Sequence, residues 1–280
     1  MLLLFAALVL TPQGTDTSIA VRGTTRLELS SADGSITVET WNQNTVRVQT
    51  DDDDARIDVD QSGRTMSLRA RARYGPSEVN WRLTVPAEMA LDLSSQSGDV
   101  RVSGARGEVS VSSVEGAVSV QGGASFVSLS SVNGDIELTG ASGRIQISAV
   151  DGKITLRGIK GDVKATAVDG DILLDGVESS AVEASTVDGA IEFTGPIRAG
   201  GRYGLSSHDG NVTVVSQSIN AEVTVSTFSG DFKSDYPVTL RETHGRGRMD
   251  FTLGSGGARL DLASFDGTVS IRKTAPPRKP

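Results

Sequence analysis

Apolar residues recur along this chain in short alternating runs, and the runs themselves recur. Ile136-Glu137-Leu138 follows the turn Asn133-Gly134-Asp135, and eighteen residues later Ile154-Thr155-Leu156 follows Asp151-Gly152-Lys153. Turn glycines of this kind stand at Gly34, Gly98, Gly116, Gly134, Gly152, Gly170, Gly189, Gly210, Gly230 and Gly267. From Gly98 to Gly170 the interval is eighteen every time, then it loosens to nineteen, twenty-one and twenty. Each period holds two alternating runs, so Ile136, Leu138, Ile145 and Ile147 share one face.

The same positions in successive periods form columns. One reads Val100, Val118, Ile136, Ile154, Ile172, Ile191, Val212, and the next Val102, Val120, Leu138, Leu156, Leu174, Phe193, Val214. A third, from the other run, reads Val109, Val127, Ile145, Val163, Val182, Tyr203, Val223. One coil of this length cannot bury its own apolar face, but stacked coils can, each strand bonding its equivalents about 4.8 Å above and below. The pattern predicts an all-β fold: a single-stranded parallel β-solenoid (β-helix) of two-strand coils, about eighteen residues each, with irregular N-terminal capping strands. A column of small residues before the turn, Ser113, Ser131, Ala149, Ala167, Thr186, Ser207, Thr227 and Ser264, marks a corner without room for bulk.

Between Gly34 and Gly98 the period lapses. Strand-like runs at 45–50, 56–60, 65–72 and 79–85, with a hairpin turn at Gln61-Ser62-Gly63-Arg64, predict a partly antiparallel cap, closed by Trp41 and Trp81. At the far end Leu260, Leu262, Val269 and Ile271 predict a last matching coil. The expected organisation is a leader over 1–18, a β cap with first coils over 19–90, solenoid repeats over 91–272 and a disordered tail over 273–280. The leader rests on the apolar stretch Leu2 to Leu10, which as a helix reaches about 14 Å and cannot cross a core of roughly 30 Å. It suits a secretory h-region, although a basic n-region is missing, and the competing reading is a buried first strand.

Composition narrows the function. A net charge of -8 opposes general nucleic-acid binding, and the absence of cysteine removes disulfides, thiolate metal sites and cysteine nucleophiles. Two acidic columns flank the turn glycines. Asp33, Glu115, Asn133, Asp151, Asp169, Asp188, Asp209 and Asp266 precede them, and Asp99, Asp135, Lys153, Asp171, Asn211 and Asp231 follow. Such columns could ligate calcium or could cap the turns by accepting backbone N–H bonds. Turn chemistry is favoured, since Lys153 interrupts one column and serine and asparagine substitute in both. No metal or cofactor is expected.

Of the two histidines, His208 occupies a column otherwise filled by Val114, Val132, Val150, Val168, Val187, Phe228 and Phe265, which predicts packing, and His244 lies in a glycine-rich loop. Neither has an evident nucleophile partner, so no catalytic residue is proposed. The run of aspartates from Asp51 to Asp54 reads as a solvated loop. Arg69, Arg71 and Arg73 share one strand face and form the one candidate ligand site, able to grip an anionic glycan or headgroup; the competing reading pairs them across the hairpin with Asp58 and Asp60.

The columns, the turn pattern, the run Leu83-Thr84-Val85-Pro86 leading into the coils and the final Phe265-Asp266-Gly267-Thr268-Val269 coil together resemble the bacterial "putative adhesin" families. That resemblance implies an exported β-solenoid of the periplasm, cell envelope or exterior, with no catalytic residues. Three functions compete. The first is a non-enzymatic domain presenting a surface to an envelope glycan or an unidentified protein, with no nucleic acid and no membrane span. The second is a self-associating structural or signalling module of the envelope. The third is a carbohydrate-active β-helix enzyme.

Overall fold

A computed structural model of the chain describes residues 16–21, 23, 25–51, 56–71, 78–238, 240–244 and 247–274. Among them are 27 strands and no helix, arranged as one 13-stranded and one 14-stranded sheet. The coils stack as the columns require. In the first sheet Ile136, Ile154 and Ile172 are register partners, as are Leu138, Leu156 and Leu174. In the second sheet Ile145, Val163, Val182 and Tyr203 stack in turn. All of these side chains are buried in one continuous core between the sheets. β-Branched residues suit these columns because their restricted χ1 lets them stack in one rotamer.

Corners are hydrogen-bonded rung to rung as strictly as the strands. The Gly134 N–H donates to the Asp151 carbonyl at 3.0 Å, and the Gly152 N–H to the Asp169 carbonyl at 3.1 Å. The small inner column belongs here: Ser207 Oγ donates to the Gly189 carbonyl and Ser264 Oγ to the Gly210 carbonyl, each at 2.8 Å. Where the period lengthens to twenty-one, Tyr203 replaces valine and packs edge-on against Phe193. Its hydroxyl donates to the Ser179 carbonyl at 2.7 Å and accepts the Arg198 N–H at 2.9 Å, tying the longer loop to the core. Burial pushes this phenol's pKa up.

The order of coils at the ends departs from expectation. The final coil, Ala258–Asp266 with Val269–Lys273, is not outermost; it lies between the coil Arg202–Asp209/Val212–Ser216 and the coil Ala221–Thr227/Phe232–Ser234. Tyr203 therefore stacks on Leu260, and Val223 on the far side of Leu260. The antiparallel strands Leu240–His244 and Arg248–Leu253 then cover the second sheet.

The N-terminal end mirrors this arrangement. The coil Arg26–Asp33/Ile36–Trp41 lies inside, between Ala90–Ser97/Val100–Ala105 and an outer coil made of Thr65–Arg71 and Trp81–Pro86. Antiparallel strands close both sheets there: Arg56–Ser62 beside Thr65–Arg71, and Thr45–Thr50 with Asp16–Ala20 beside Trp81–Pro86. The expected partly antiparallel cap and its hairpin turn are thus present. Trp81 is buried under it, and Trp41 is half-buried with its indole N–H on the Thr45 carbonyl at 2.8 Å.

Asp51 does more than line a loop. Its carboxylate accepts the Asn80 N–H at 2.9 Å and the Asn80 side-chain amide at 2.7 Å, while Asn80 Oδ1 accepts the Ser35 N–H at 2.8 Å. Residues 52–55 lie outside the described residues, as do most of the expected leader and the residues beyond 274. Among the described residues pairing begins at Asp16, inside the expected leader, where Arg47 Nε donates to the Asp16 carboxylate at 2.9 Å.

Candidate functional site

The column containing His208 does not pack. Along the second sheet Val109, Val111 and Ser113 point inward, so the next residue, Val114, points out. The same parity holds on each rung, and the result is an exposed ladder in the spatial order Val114, Val132, Val150, Val168, Val187, His208, Phe265, Phe228. The five valines are between 41% and 52% exposed, Phe265 46% and Phe228 75%. The imidazole of His208 stacks on Phe265 with ring centroids 4.7 Å apart, and Phe265 stacks on Phe228 at the same distance, 4° from parallel. Parity along the strand is the signal that could have found this ladder, because a run that places Ser113 inward cannot also bury Val114.

Two polar columns flank it. Two residues back along seven of the eight strands stand outward hydroxyls, Ser112, Ser130, Ser148, Thr166, Ser185, Ser206 and Ser226, with Ala263 on the eighth. One residue forward stand the carboxylates that precede the turn glycines, and Asp151, Asp169, Asp188, Asp209 and Asp266 occupy five successive rungs in register. All five are exposed, and among the described residues none is held by a side-chain hydrogen bond or ion pair.

The column following the glycines behaves otherwise. Asp99 Oδ1 accepts the Ala117 N–H at 3.0 Å, Asp135 Oδ1 the Lys153 N–H at 2.8 Å, Asp171 Oδ1 the Ala190 N–H at 2.8 Å and Asn211 Oδ1 the Thr268 N–H at 2.8 Å. Each side chain sews its turn to the next rung, which is the turn chemistry favoured from the sequence. Among the described residues no group of three or more acids and histidines is placed to hold a metal ion.

The arginine site is only partly described. Arg69 is exposed on the strand Thr65–Arg71 and lies opposite Asp58 in register, while Asp60 lies opposite Ser67. It borders a shallow depression with Glu28 and Asp92, acids that oppose an anionic ligand there. Arg71 ends the strand opposite Arg56, but its side chain, like all of Arg73, lies outside the described residues. The same is true of the His244 side chain at the end of Leu240–His244.

A larger open depression, about 440 Å³, lies on the outer face of the second sheet where Ala181 and Gly204 leave a dent. Two of its carboxylates are tied to cations: Glu183 to Lys164 and Asp261 to Arg259, each at 2.9 Å. Among the described residues no helix is long and apolar enough to cross a membrane.

A family model described as Toastrack DUF4097 matches residues 87–196 and 174–272, the regular coils and the C-terminal closure. Comparison with curated proteins gives no match. Among solved structures the chain is similar to a "putative adhesin" from Bacteroides fragilis, 14% identical over 94% of this chain and 98% of that one, with a TM-score of 0.43. It is also similar to a "putative adhesin" from Parabacteroides distasonis, 12% identical over 93% and 97%, with a TM-score of 0.37. A "putative cell adhesion protein" from Clostridium sporogenes is 9% identical over 94% and 100%, with a TM-score of 0.26. None of the three carries weight for function.

Proposed function

The chain belongs to the Toastrack DUF4097 family, and from that premise we propose that it is a non-enzymatic, exported, adhesin-like solenoid that binds a partner along its outer valine ladder. The observation that carries this reading is the ladder itself. Soluble proteins seldom expose large contiguous apolar patches without a partner for them, and here five valines and two phenylalanines stay exposed on eight stacked rungs. Isolated surface apolar residues need no explanation, but a column kept apolar through seven of eight rungs does. Export is part of the same reading and is supported by the apolar stretch from residue 2 to residue 10.

The test is capture from an envelope extract by the wild-type protein, by Val150→Thr/Val168→Thr/Val187→Thr, and by Arg69→Ala/Arg71→Ala/Arg73→Ala. Retained partners lost from the valine variant alone support the ladder. Partners lost from the arginine variant alone transfer the site to the arginine face, and partners kept by the valine variant sink the reading.

A further inference from the structure

We propose that the occupant of the valine ladder is an amphipathic α-helix of a partner protein, carrying lysine or arginine along one flank of its apolar stripe. This deepens the reading above and rests on it. Three observations select that chemistry. The first is spacing. Rungs repeat at about 4.8 Å, while a helix lying along the solenoid axis returns a side chain to the same face every ~5.4 Å and an extended strand every ~6.7 Å. Over the four steps from Val114 to Val187 a helix drifts from register by about 2.4 Å, roughly half a rung, and over all seven steps by about 4.2 Å, still under a rung, whereas a strand drifts by about 7.6 and 13 Å.

The second observation is charge. The ladder has carboxylates on one side only, five in a row from Asp151 to Asp266, and neutral hydroxyls on the other. A cationic flank fits the first side and nothing charged is called for on the second. The third is the aromatic end, where Phe228 leaves 75% of its surface open beside Phe265 and next to Asp266, a seat for a guanidinium or ammonium group. A second copy of this chain is a poor occupant, because its ladder brings the same aspartates and serines and supplies no cation. The full ladder spans seven steps, about 34 Å, the length of a helix of roughly 22 residues.

The probes are synthetic 22-residue peptides, assayed by fluorescence anisotropy against the full chain. One has leucines at helical spacing with lysines along one flank; one has the same composition in strict alternation; one replaces each lysine with glutamate. Only the first is expected to bind tightly and to gain helical circular dichroism on binding. Val150→Thr/Val168→Thr/Val187→Thr, which keeps the β-branch and the fold, should raise its Kd at least tenfold, and so should Asp151→Asn/Asp169→Asn/Asp188→Asn. Asp175→Asn/Glu192→Gln, on the outer face of the other sheet, should leave it unchanged.

Equal binding by the valine variant, equal loss in the opposite-sheet variant, or preference for the alternating peptide overturns the proposal. So does binding of an envelope glycan, but of none of the peptides, along the same ladder. If extract partners still depend on the valines while no peptide binds, the helix is wrong and the ladder stands; if extract partners ignore the valines, the ladder itself falls.

Discussion

Substituting alanine at Gly152 and at Gly158, six residues apart on one coil, should have very different costs. Gly152 sits at a corner with φ +140°, and a Cβ built there would lie 2.5 Å from the Gly134 carbonyl oxygen and 2.7 Å from its carbon. Both atoms are backbone of the neighbouring rung, and that rung cannot recede without stretching the bonds from the Gly134 N–H to Asp151 and from the Ile136 N–H to Lys153. An unfavourable backbone region costs about 1–3 kcal/mol, and weakening two ladder bonds adds about 1 kcal/mol each. Gly152→Ala should therefore cost ~3–5 kcal/mol.

Gly158 has φ +61° and open space where a Cβ would go. Only the left-handed penalty of about 1–2 kcal/mol applies, and asparagine should remove most of it. Urea unfolding with the slope held constant measures both costs, and amide exchange at Gly152 and Ile154 reports whether the loss is centred on that corner. Equal destabilisation by the two alanines would refute the claim that close approach of the rungs, rather than dihedral preference alone, demands glycine at the corner.

The two acidic columns should respond oppositely. Asp171→Ala removes the acceptor of the Ala190 N–H and should cost ~1–2 kcal/mol. Asp169→Asn relieves repulsion from Asp151 and Asp188, about 1 kcal/mol per neighbour in water, so thermal stability should rise at low ionic strength and be unchanged in 1 M salt. Leu156→Ala, in the buried column, should cost ~2–5 kcal/mol, whereas Val150→Thr on the exposed ladder should cost less than about 0.5 kcal/mol, both read by urea unfolding. At Asp51 burial pulls the carboxyl pKa upward, but the two Asn80 bonds outweigh it and hold the group below its ordinary value. A lowered folded pKa means that this contribution is complete above the unfolded value of about 3.9 and is lost as pH falls through the folded one. An acid titration of wild type against Asp51→Asn should show the two stabilities converge only there. Melting with and without a calcium chelator should coincide, and a fall on chelation would return the turn carboxylates to metal duty.

Much of the fold was legible because period and parity are both written in the residues. An interval of eighteen between Gly98 and Gly170 leaves no freedom in which strand stacks on which. The terminal order was not legible for a chemical reason: Tyr203 can stack on Val223 or Leu260 with equal ease, since both offer an apolar side chain at the same height in the coil. Only the antiparallel strands Leu240–His244 and Arg248–Leu253, whose loose pattern hides their partner, decide that Val223 lies outside. The exposed ladder shows in parity and not in repetition: recurring valines suggest packing, but Ser113 already holds the inward place beside Val114. The turn role of the acidic column after the glycines was legible, since Lys153 within it is harmless to the bond its own N–H donates to Asp135 on the rung before.

The tucked ends change what kind of object this is. An open stack could add or shed coils at either end, but here the coil Ala258–Asp266/Val269–Lys273 lies beneath one made before it, and the coil Arg26–Asp33/Ile36–Trp41 is covered by one made after it. Lengthening must then happen by inserting coils in the middle, between Gly98 and Gly170, where every interval is eighteen. Synthesis meets the same constraint. The strand Ala221–Thr227 gains its partner in this fold only once residues 258–273 have been made and laid between it and Arg202–Asp209. This late coil, laid between strands made before it, is the one that locks the rack.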